Sequence, residues 1–218
     1  MRIAIVTLFP ELFEPLLSSS IIDKAQKEGK LEVRLINLRE FGIGSHRQVD
    51  DRVYGGGVGM VLRVEPIYEA LKKAGRGRKI LLTPQGQTLD QPKLKRLSKE
   101  KGLILICGKY EGVDERVRAL VDEEISIGDY VLSGGEVPAM AVLDGVARLL
   151  PGVLEKEATE LESFSENLLE PPQYTRPEVF KRKRVPKVLL SGNHGEIARW
   201  REEQALKKTR ERRPDLLE

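Results

Sequence analysis

Three glycine-containing loops are the segments of this sequence whose residues could hold a small ligand. They read TPQGQTLDQ (83–91), GKYEGVDER (108–116) and GDYVLSGGE (128–136), and each follows an apolar run expected to be a buried strand. In open α/β sheets, ligands bind at the edge where parallel strands end. With few fixed charges nearby, the loops favour a flat, largely neutral ring such as adenine, although tight turns alone would also explain their glycines. The glycines that would let a ligand lie against the main chain are Gly86, Gly108, Gly128, Gly134 and Gly135.

A fourth, longer segment, HRQVDDRVYGGGVGM (46–60, the glycine-rich loop), combines arginines, paired aspartates and a glycine triplet. Such a composition cannot form a core, so the loop must be exposed or wrapped around a ligand, and its length favours a functional loop. His46 alone is more typical of a surface side chain than of a catalyst, and Cys107, in an apolar run, is more typical of a core. Neither GGGVGM nor CGKYEG matches a standard nucleotide-binding glycine pattern, which argues against a dinucleotide dehydrogenase or a phosphate-loop kinase.

The charge of the chain is unevenly distributed. The 218 residues contain 37 Lys and Arg against 34 Asp and Glu, a net charge of +3, yet residues 174–218 hold 13 against 7, a net of +6. A basic tail predicts a polyanionic partner, although a solvated helical surface would have the same composition.

No apolar run approaches the roughly 18 to 20 residues that span a bilayer, and a signal-peptide cleavage site is absent. Since one cysteine excludes a disulfide framework, the sequence predicts a soluble, cytoplasmic protein.

The elements that would position these loops alternate along the chain. Apolar runs predicted as strands are RIAIVTL, LEVRLIN, RKILLTP, LILICG and EEISIG. Segments with helical spacing between them are SSSIIDKAQKEGK, EPIYEALKKAGRG, QPKLKRLSKEKG and DERVRALVDE. This alternation predicts an α/β domain over residues 1–151, with a mostly parallel sheet and helices on both faces. An acidic, proline-containing segment (152–173) is predicted to be a flexible linker, and residues 174–218 a small, basic, all-helical domain.

A series of motifs carries a resemblance to a known family. VTLFPELF, DDRVYGGGVGM, GKYEGVDERV, SIGDYVLSGGE, RLLPGVL, PPQYTRPE, LLSGNHGEIARWR and RRPDLL follow one another along the chain. In this order they resemble the bacterial tRNA (guanine-N1)-methyltransferases over essentially the whole length. The resemblance implies methylation of N1 of the guanosine immediately 3′ of the anticodon, position 37 of tRNA, with S-adenosylmethionine as donor. It also implies a trefoil knot towards the end of the α/β domain and a homodimer whose partner's linker and helical domain complete each active site.

The resemblance also implies which residues contact the two substrates. The knotted segments TPQGQ, CGKYEG and IGDYVLSGG would hold the donor, and the basic helical domain would neutralise tRNA phosphates. Residues expected at the donor are Thr83, Pro84, Gln85, Gly86, Gly108, Tyr110, Glu111, Ile127, Gly128, Asp129, Tyr130, Val131, Leu132, Gly134, Gly135 and Pro138. Residues expected at the tRNA are Asp50, Arg52, Tyr54, Gly55, Gly56, Gly57, Gly59, Met60, Tyr174, Arg176, Arg199, Arg201, Lys207 and Lys208.

Two further residues are expected to carry the chemistry. N1 of guanine bears a proton at neutral pH, and its loss moves negative charge onto O6, so a base and a cation are needed. The resemblance implies Arg148 as the cation and, as the base, the residue before Ser163, which is Glu162 where the family has aspartate. Glu160 and Glu166 are neighbouring carboxylates that could substitute. Some family members depend on magnesium, but no carboxylate cluster in this sequence specifies a metal site.

Two other functions remain open at this stage. Glu162 in place of aspartate is the feature that would fit a non-catalytic RNA-binding protein with a degenerate cofactor pocket. A knotted methyltransferase acting on ribose 2′-hydroxyls would not need a reader of the base edge, whereas this sequence keeps both YGGGVGM and PPQYTRP.

Overall fold

A computed structural model describes residues 1–155, 158–159 and 162–218 of the chain. The chain divides into two compact units, Met1–Leu154 and Glu155–Glu218. The second unit therefore begins within the segment that the sequence predicts to be a linker. None of the helices in the described ranges combines the length and apolar character needed to cross a membrane.

The first unit is built on a five-stranded sheet in which every pairing is parallel. Its strands in chain order, with the short antiparallel pair β3–β4 between them, are β1 (Arg2–Thr7), β2 (Glu32–Asn37), β3 (Asp50–Asp51), β4 (Val61–Leu62), β5 (Arg78–Thr88), β6 (Gly102–Cys107) and β7 (Glu123–Ser126). The order across the large sheet is β2-β1-β6-β5-β7. The five predicted strands and the parallel sheet are confirmed, because apolar runs this short favour strands covered on both faces.

Helices and 3₁₀ turns connect these strands. The α-helices of the first unit are α1 (Glu14–Leu17), α2 (Ser20–Lys27), α3 (Val64–Ala74), α4 (Gln91–Leu97) and α5 (Glu136–Ala147), and the 3₁₀ turns are Pro10–Phe13, Leu38–Phe41 and Glu115–Leu120. Local chemistry sets their ends: the Asp90 carboxylate accepts from the Lys93 N–H at 2.7 Å at the start of α4, and Gly75, at φ +87°, ends α3.

One predicted helix, DERVRALVDE, is only a 3₁₀ turn. The Asp114 carboxylate caps it by accepting from the Arg116 N–H at 2.9 Å. Immediately after the turn the chain is hydrogen-bonded to strand β5. Asp122 donates its N–H to the Lys79 carbonyl at 2.9 Å, and its carboxylate accepts from the Lys79 N–H at 2.7 Å. The segment is thus too short for a regular α-helix between its cap and the strand that follows.

Both faces of the sheet are covered, as predicted. Alternate residues of β1 illustrate this: Ile3 and Ile5 belong to one buried apolar cluster, and Ala4 and Val6 to another. The first cluster also contains residues of α2, α4 and α5, and the second contains residues of α3. This pattern follows from the pleat, which directs successive side chains to opposite faces.

Strand β5 pairs with β7 in two registers. Ile80–Leu82 lie opposite Glu123–Ile125, and Gln87 and Thr88 then lie opposite Ile125 and Ser126. The residues between the two paired segments leave the ladder, as in a β-bulge, and re-aim the strand. At Gly86 a Cβ atom would lie 2.5 Å from the carbonyl carbon of Glu124 and from the nitrogen of Ile125. Only glycine allows the two main chains to approach this closely.

The second unit is not entirely helical. It contains β8 (Val179–Phe180), β9 (Lys183–Arg184), the 3₁₀ turns Lys187–Leu190 and Pro214–Leu217, and α6 (His194–Arg212). Strands β8 and β9 form an antiparallel hairpin, so the prediction of an all-helical domain is wrong over these residues. The physical reason is the two-residue turn Lys181–Arg182, whose φ angles of 45° and 67° match the turn geometry that tight hairpins favour.

Few side chains of the second unit are buried. Ala205 and Thr209, on one side of α6, are buried, and the Leu169 N–H donates to the Thr209 hydroxyl at 2.9 Å. The Lys208 ammonium donates to the Glu170 carbonyl at 2.8 Å. These contacts fix the segment around residues 169–170 against α6, so this part of the predicted linker belongs to the same compact unit as the helix.

Candidate functional site

A cavity of about 240 Å³ opens at the C-terminal ends of β6 and β7 and beside the middle of β5, close to the start of α5. Of the three segments predicted to be loops, residues 83–91 are strand as far as Thr88, whereas 108–116 and 128–136 are largely loop; residues of all three line the cavity. Fourteen of the sixteen residues expected at a donor line it: Thr83, Pro84, Gln85, Gly108, Tyr110, Glu111, Ile127, Gly128, Tyr130, Val131, Leu132, Gly134, Gly135 and Pro138. The sequence therefore locates the cavity, while contact of these residues with a donor stays a prediction.

The two exceptions, Gly86 and Asp129, do not line the cavity. Gly86 lies where the main chain of β5 passes close to that of β7. Asp129 is exposed at the centre of a tight turn, in which the Tyr130 N–H donates to the Gly128 carbonyl at 2.9 Å. A three-residue turn of this kind directs the central side chain outwards. Neither residue is therefore part of the cavity wall, and their contact with a donor stays a prediction.

The third loop is ordered by its own polar and aromatic groups. The buried Ser126 hydroxyl donates to the Gly128 carbonyl at 3.0 Å and accepts from the Gly128 N–H at 3.1 Å. Gly128 has a φ of +147°, and a Cβ there would lie 2.5 Å from Cε1 of Tyr130. The Tyr130 ring thus packs directly on the glycine, and the φ of +147° is a backbone conformation that favours glycine.

The second and third loops are joined through their main chains. The Gly135 N–H donates to the Gly108 carbonyl at 2.8 Å, and Lys109 and Gly134 form an antiparallel bridge. A Cβ at Gly135 would lie 2.7 Å from Cα of Cys107 and 2.8 Å from the nitrogen of Gly108. Where these two loops meet, the cavity wall is therefore main chain without side chains.

A buried polar contact lies behind this wall. The Thr7 hydroxyl, at the end of β1, donates to Glu136 Oε1 at 3.0 Å and accepts from the Phe9 N–H at 3.0 Å. Both Thr7 and Glu136 are buried. Burial, followed by the nearby charge of Glu136, raises the pKa of the adjacent Cys107 thiol. A neutral, buried thiol is a poor nucleophile, so the prediction that Cys107 belongs to the core is confirmed.

Several cavity residues were not predicted from the sequence: Leu81, Leu82, Lys109, Gly112, Val113, Glu115, Arg118, Glu124, Ile125 and Ser126. Most of them are ends of strands or neighbours of predicted residues within the same loop, and that adjacency was the signal that could have found them. Arg118 is different, since it is brought in by the 3₁₀ turn. Its guanidinium contacts Glu115 and Glu124, each at 2.8 Å, and these hydrogen bonds raise the pKa of Arg118.

The glycine-rich loop is exposed at its tip and attached to the cavity at its end. Tyr54 is fully exposed, and the glycines at 55, 56, 57 and 59 have φ angles of 86°, 79°, 142° and 89°. The loop returns by two main-chain bonds, from the Glu111 N–H to the Met60 carbonyl and from the Leu62 N–H to the Gly112 carbonyl, each at 3.0 Å. The loop end therefore reaches the second cavity loop, while the tip is free to contact a larger ligand.

Asp50 and Arg52, also expected at tRNA, lie at the base of this loop. Asp50 belongs to β3, and its charge acts on the half-exposed Tyr110: burial, followed by Asp50, raises the pKa of the Tyr110 hydroxyl. Arg52 is exposed, and its N–H donates to the Asp51 carboxylate at 2.8 Å. The structure thus connects one predicted tRNA residue, Asp50, to one predicted donor residue, Tyr110.

The other residues expected at tRNA lie in the second unit. Arg199, Arg201 and Lys207 are exposed along α6, whereas Lys208 is half-buried through its bond to the Glu170 carbonyl. Tyr174 packs against Trp200, with ring centroids 6.5 Å apart. Arg176, the remaining residue expected at tRNA in this unit, is exposed.

The two residues expected to carry the chemistry lie in different units. Arg148 follows the last residue of α5 and donates its N–H to the Asp144 carbonyl at 3.1 Å. Glu162 is half-buried and accepts from the Ser165 N–H through its carbonyl at 3.2 Å. Of the alternative carboxylates, Glu166 is exposed and Glu160 lies outside the described residues.

The residues after Glu162 form a compact turn. The Phe164 N–H donates to the Leu168 carbonyl at 2.8 Å, and the Arg213 guanidinium lies 5.7 Å from the centroid of the Phe164 ring.

Within the described ranges, no three His, Cys, Asp or Glu side chains are close enough to hold a metal ion.

The parallel sheet and its glycine-lined cavity define an α/β protein that can hold a small molecule against its main chain at the strand ends. Over residues 1–218 the chain matches the model of the family described as tRNA (guanine-1)-methyltransferase TrmD. The chain belongs to this family.

Curated relatives cover the whole chain. A tRNA (guanine-N(1)-)-methyltransferase of Moorella thermoacetica is 54% identical over 225 residues, which span 100% of this chain and 90% of the relative. A protein of the same description from Geobacillus kaustophilus is 54% identical over 224 residues, spanning 100% of this chain and 92% of the relative. Another, from Mycoplasmopsis synoviae, is 52% identical over 222 residues, spanning 100% and 97%.

Proposed function

We propose that this protein is an S-adenosylmethionine-dependent enzyme that methylates N1 of the guanosine immediately 3′ of the anticodon, position 37, in tRNA. The observation that carries the proposal is the glycine-lined cavity at the strand ends in a chain that matches the tRNA (guanine-1)-methyltransferase family over residues 1–218. An enzyme that acts on tRNA is expected in the cytoplasm.

The cavity residues fit an adenosine-containing donor. Gly108, Gly134 and Gly135 have no side chains, so the flat face of an adenine can lie directly against the main chain of the wall. Apolar side chains, among them Val131 and Leu132, supply surface for the flat ring. When bound, S-adenosylmethionine supplies a methyl group already activated on a sulfonium, so the task of the protein is binding and orientation.

The proposal includes a trefoil knot formed by residues 83–87, 107–112 and 127–135. Two close approaches of main chain support it, since a Cβ at Gly86 would meet Glu124 and Ile125, and a Cβ at Gly135 would meet Cys107 and Gly108. Segments that thread past one another must pass with little room for side chains. The first of these approaches lies near the change of register between β5 and β7.

The acceptor side of the reaction is assigned to two side chains. Glu162 would take the proton from guanine N1 as that atom attacks, a role that contributes about 10² to 10⁴-fold to rate. Arg148 would stabilise the negative charge that moves onto O6. A carboxylate is chemically competent whether it belongs to aspartate or to glutamate, because the proton-accepting group is the same.

Contacts with tRNA are assigned to the glycine-rich loop and to the second unit. The exposed side chains of Arg199, Arg201 and Lys207 are available to phosphates, and binding through phosphates should weaken steeply with salt. A base stacked in the anticodon loop must be turned out before N1 can be reached. The fully exposed Tyr54, at the glycine-rich loop, offers a ring on which such a base could stack.

We also propose a homodimer in which each active site is completed by the second unit of the partner. The assignment of Arg148 to the first compact unit and Glu162 to the second is compatible with a shared site. Exposed apolar side chains at or beside the cavity, Val131 and Val137, offer surface for a partner to cover. Sedimentation of the purified protein should give a dimer; a monomer that retains full activity would contradict this arrangement.

The experiment that tests the function uses the full chain, labelled donor and anticodon stem-loop transcripts that contain guanosine or inosine at the target position. We expect 1-methylguanosine at that position, and Glu162→Gln should lower kcat by about 10² to 10⁴-fold with donor affinity unchanged. Glu162→Asp should retain activity, since it keeps the carboxyl group. Ribose methylation, or no transfer by the wild type, would contradict the proposal.

Two control variants locate the base within the segment. Glu166→Gln removes an exposed carboxylate four residues away and should leave kcat unchanged. Glu160→Gln serves the same purpose on the other side of Glu162. If either control loses activity while Glu162→Gln keeps it, the proton-accepting role belongs to that other residue.

A further inference from the structure

An exposed aromatic ring lies beside the turn of the β8–β9 hairpin. Phe180 has 62% of its surface exposed and is the most exposed of the five phenylalanines, and the neighbouring Val179 is also exposed. A single apolar side chain at the surface is common in proteins and does not by itself indicate a binding site. The charges around this ring are therefore what decides whether it has a partner.

The hairpin carries a concentrated positive charge. Residues 178–184 read EVFKRKR, so four consecutive cations follow Phe180 and the one acidic residue in the segment is Glu178. None of these four cations forms an ion pair with a described residue. Their charge is therefore not compensated within the described part of the chain, and it is complementary to a polyanion.

The strand pairing puts apolar surface and charge on the same face. Phe180 lies opposite Lys183, and residues directly opposite on antiparallel strands have neighbouring side chains on one face. The Lys181 ammonium lies 5.5 Å from the centroid of the Phe180 ring, within the range of a cation–π contact. A flat, exposed ring with cations next to it is the combination that holds single-stranded nucleic acid, because bases stack on the ring while phosphates meet the cations.

A second aromatic ring beside a lysine shows what is particular to the hairpin. Tyr68 in α3 is also exposed, and the Lys72 ammonium lies 5.0 Å from the centroid of its ring. Lys72, however, is paired with Glu69 at 2.9 Å, so its charge is compensated. The two sites therefore share an exposed ring and a nearby lysine and differ in the charge left for a polyanion.

We propose that the β8–β9 hairpin binds RNA through an unpaired base that stacks on Phe180, while Lys183 contacts a phosphate next to that base. The inference rests on the proposed function, which supplies tRNA as the partner. Phosphate contacts alone carry no sequence information, and the bases of a duplex are not accessible for stacking on a side chain. Phe180 would thus be a specificity-determining residue that favours RNA with unpaired bases over duplex RNA.

The test measures binding of the full-length protein to two RNA probes, a tRNA transcript and a blunt duplex with the same number of phosphates. We expect Phe180→Ala to weaken binding of the transcript by about five-fold or more, as the loss of one stacked base does. The slope of log affinity against log salt should not change, because stacking neutralises no phosphate. Binding of the duplex, which has no unpaired base, should also stay unchanged.

Three further variants show whether the flat ring is responsible. Phe180→Tyr keeps the ring and should bind the transcript nearly as the wild type does. Phe180→Leu keeps an apolar side chain without a flat face and should bind as weakly as Phe180→Ala. Tyr68→Ala is the matched control in the first unit and should bind both probes as the wild type does, because the cation beside Tyr68 is already paired.

The outcomes separate this inference from the proposed function. If Phe180→Ala weakens both probes equally or neither, or if Phe180→Leu binds as the wild type does, no base stacks on Phe180; the inference is overturned while the function stands. A loss of affinity that accompanies a change from dimer to monomer in sedimentation would place the ring between two copies of the chain, and it also overturns the inference. If the wild type does not bind the tRNA transcript, the proposed function is wrong and the inference fails with it. Because most of the ring is exposed, Phe180→Ala and Phe180→Tyr should have the same melting temperature, so that a selective loss reports binding rather than folding.

Discussion

The two compact units use their charged side chains differently. In the first unit, Arg63, Arg78 and Arg118 each contact two carboxylates, and the Arg63 contacts with Asp51 and Glu65 are both 3.2 Å long. In residues 174–218 the one ion pair among the described side chains joins Arg213 to Asp215. Several arginines of the first unit are therefore paired within the protein, whereas most cations of residues 174–218 form no ion pair with a described residue and can interact with another molecule.

Burial differs in the same direction. Two buried apolar clusters cover the two faces of the sheet in the first unit. In the second unit, Ala205 and Thr209 are the residues buried within the described range. The two units therefore differ in packing: the first is close-packed and holds the cavity residues in place, whereas the second has few buried side chains and presents a basic surface. Three pairs of substitutions test this difference between the units.

The largest effect is expected for Gly135→Ala in the close-packed unit. The new Cβ would lie 2.7 Å from Cα of Cys107, and neither main chain can move without displacing a strand end. Overpacking of this kind costs about 1 to 3 kcal/mol of unfolding free energy, and it should also weaken S-adenosylhomocysteine binding. Chemical denaturation and calorimetry measure the two effects.

The matched control lies in the second unit. A Cβ at Gly195, in the first turn of α6, would be 3.6 Å from Oδ1 of Asn193, an ordinary contact. Gly195→Ala should leave stability unchanged or raise it slightly, because alanine favours a helix over glycine. Equal destabilisation by the two substitutions would contradict the contrast in packing.

An intermediate effect is expected for the double change Lys183→Glu and Arg184→Glu in strand β9. Both side chains are exposed and neither forms an ion pair with a described residue, so they are available to phosphates. Affinity for an anticodon stem-loop should fall, and the dependence of log affinity on log salt should become shallower by about 1 for each phosphate that is no longer neutralised. Filter binding over a range of salt concentrations measures both quantities.

Lys72→Gln provides the comparison in the first unit. Lys72 is exposed but is paired with Glu69 at 2.9 Å. Its removal should leave both the RNA affinity and the salt dependence close to those of the wild type. A reduction as large as that of the β9 variant would show that the cations of the first unit bind RNA as well.

The smallest effect is expected for Glu123→Gln and depends on pH. Burial alone would raise the pKa of Glu123, but hydrogen bonds from Arg96 and Arg78 prevail and lower it below its ordinary value of 4.5. The paired carboxylate therefore stabilises the fold above that value, and this contribution is lost as pH falls through the lowered pKa. Glu123→Gln should cost about 1 kcal/mol at neutral pH and progressively less in acid.

Asp215→Asn is the counterpart in the second unit, since Asp215 is paired with Arg213 at 2.6 Å but exposed. Solvent screens this pair, so its removal should change stability less than Glu123→Gln does. Unfolding curves at neutral and acidic pH distinguish the two variants. An effect of Glu123→Gln that does not depend on pH would show that poorer packing, and not the missing charge, is responsible.

Much of the first unit follows from local pattern. The runs RIAIVTL and LILICG are almost entirely apolar, which is typical of a strand that is buried on both faces. Because strand ends meet at one edge, the loops after them can be assigned to one cavity from the sequence alone. Gly86 and Asp129 escaped this reasoning, since a register change and the direction of a turn depend on contacts made across the sheet.

The second unit was harder to predict because its local signals conflict. Lys181 and Arg182 are residue types that favour helices. Their φ angles are positive, yet the turn contains no glycine or asparagine that would predict this. Lys109 was missed among the cavity residues for another reason: its side chain is positioned by the Phe9 ring and by the space at Gly134, both distant in sequence. Residues positioned by long-range neighbours cannot be identified from spacing alone.

The main-chain bond between Glu111 and Met60 has a thermodynamic consequence. It ties the wall of the cavity to the end of the exposed glycine-rich loop, so a molecule that orders one must alter the free energy of ordering the other. Occupancy of the two places would then be linked, and reciprocity requires that each ligand change the affinity of the other by the same factor. With the donor in the cavity and tRNA at the loop, as proposed, this single peptide contact would make the affinity for each substrate depend on the presence of the other.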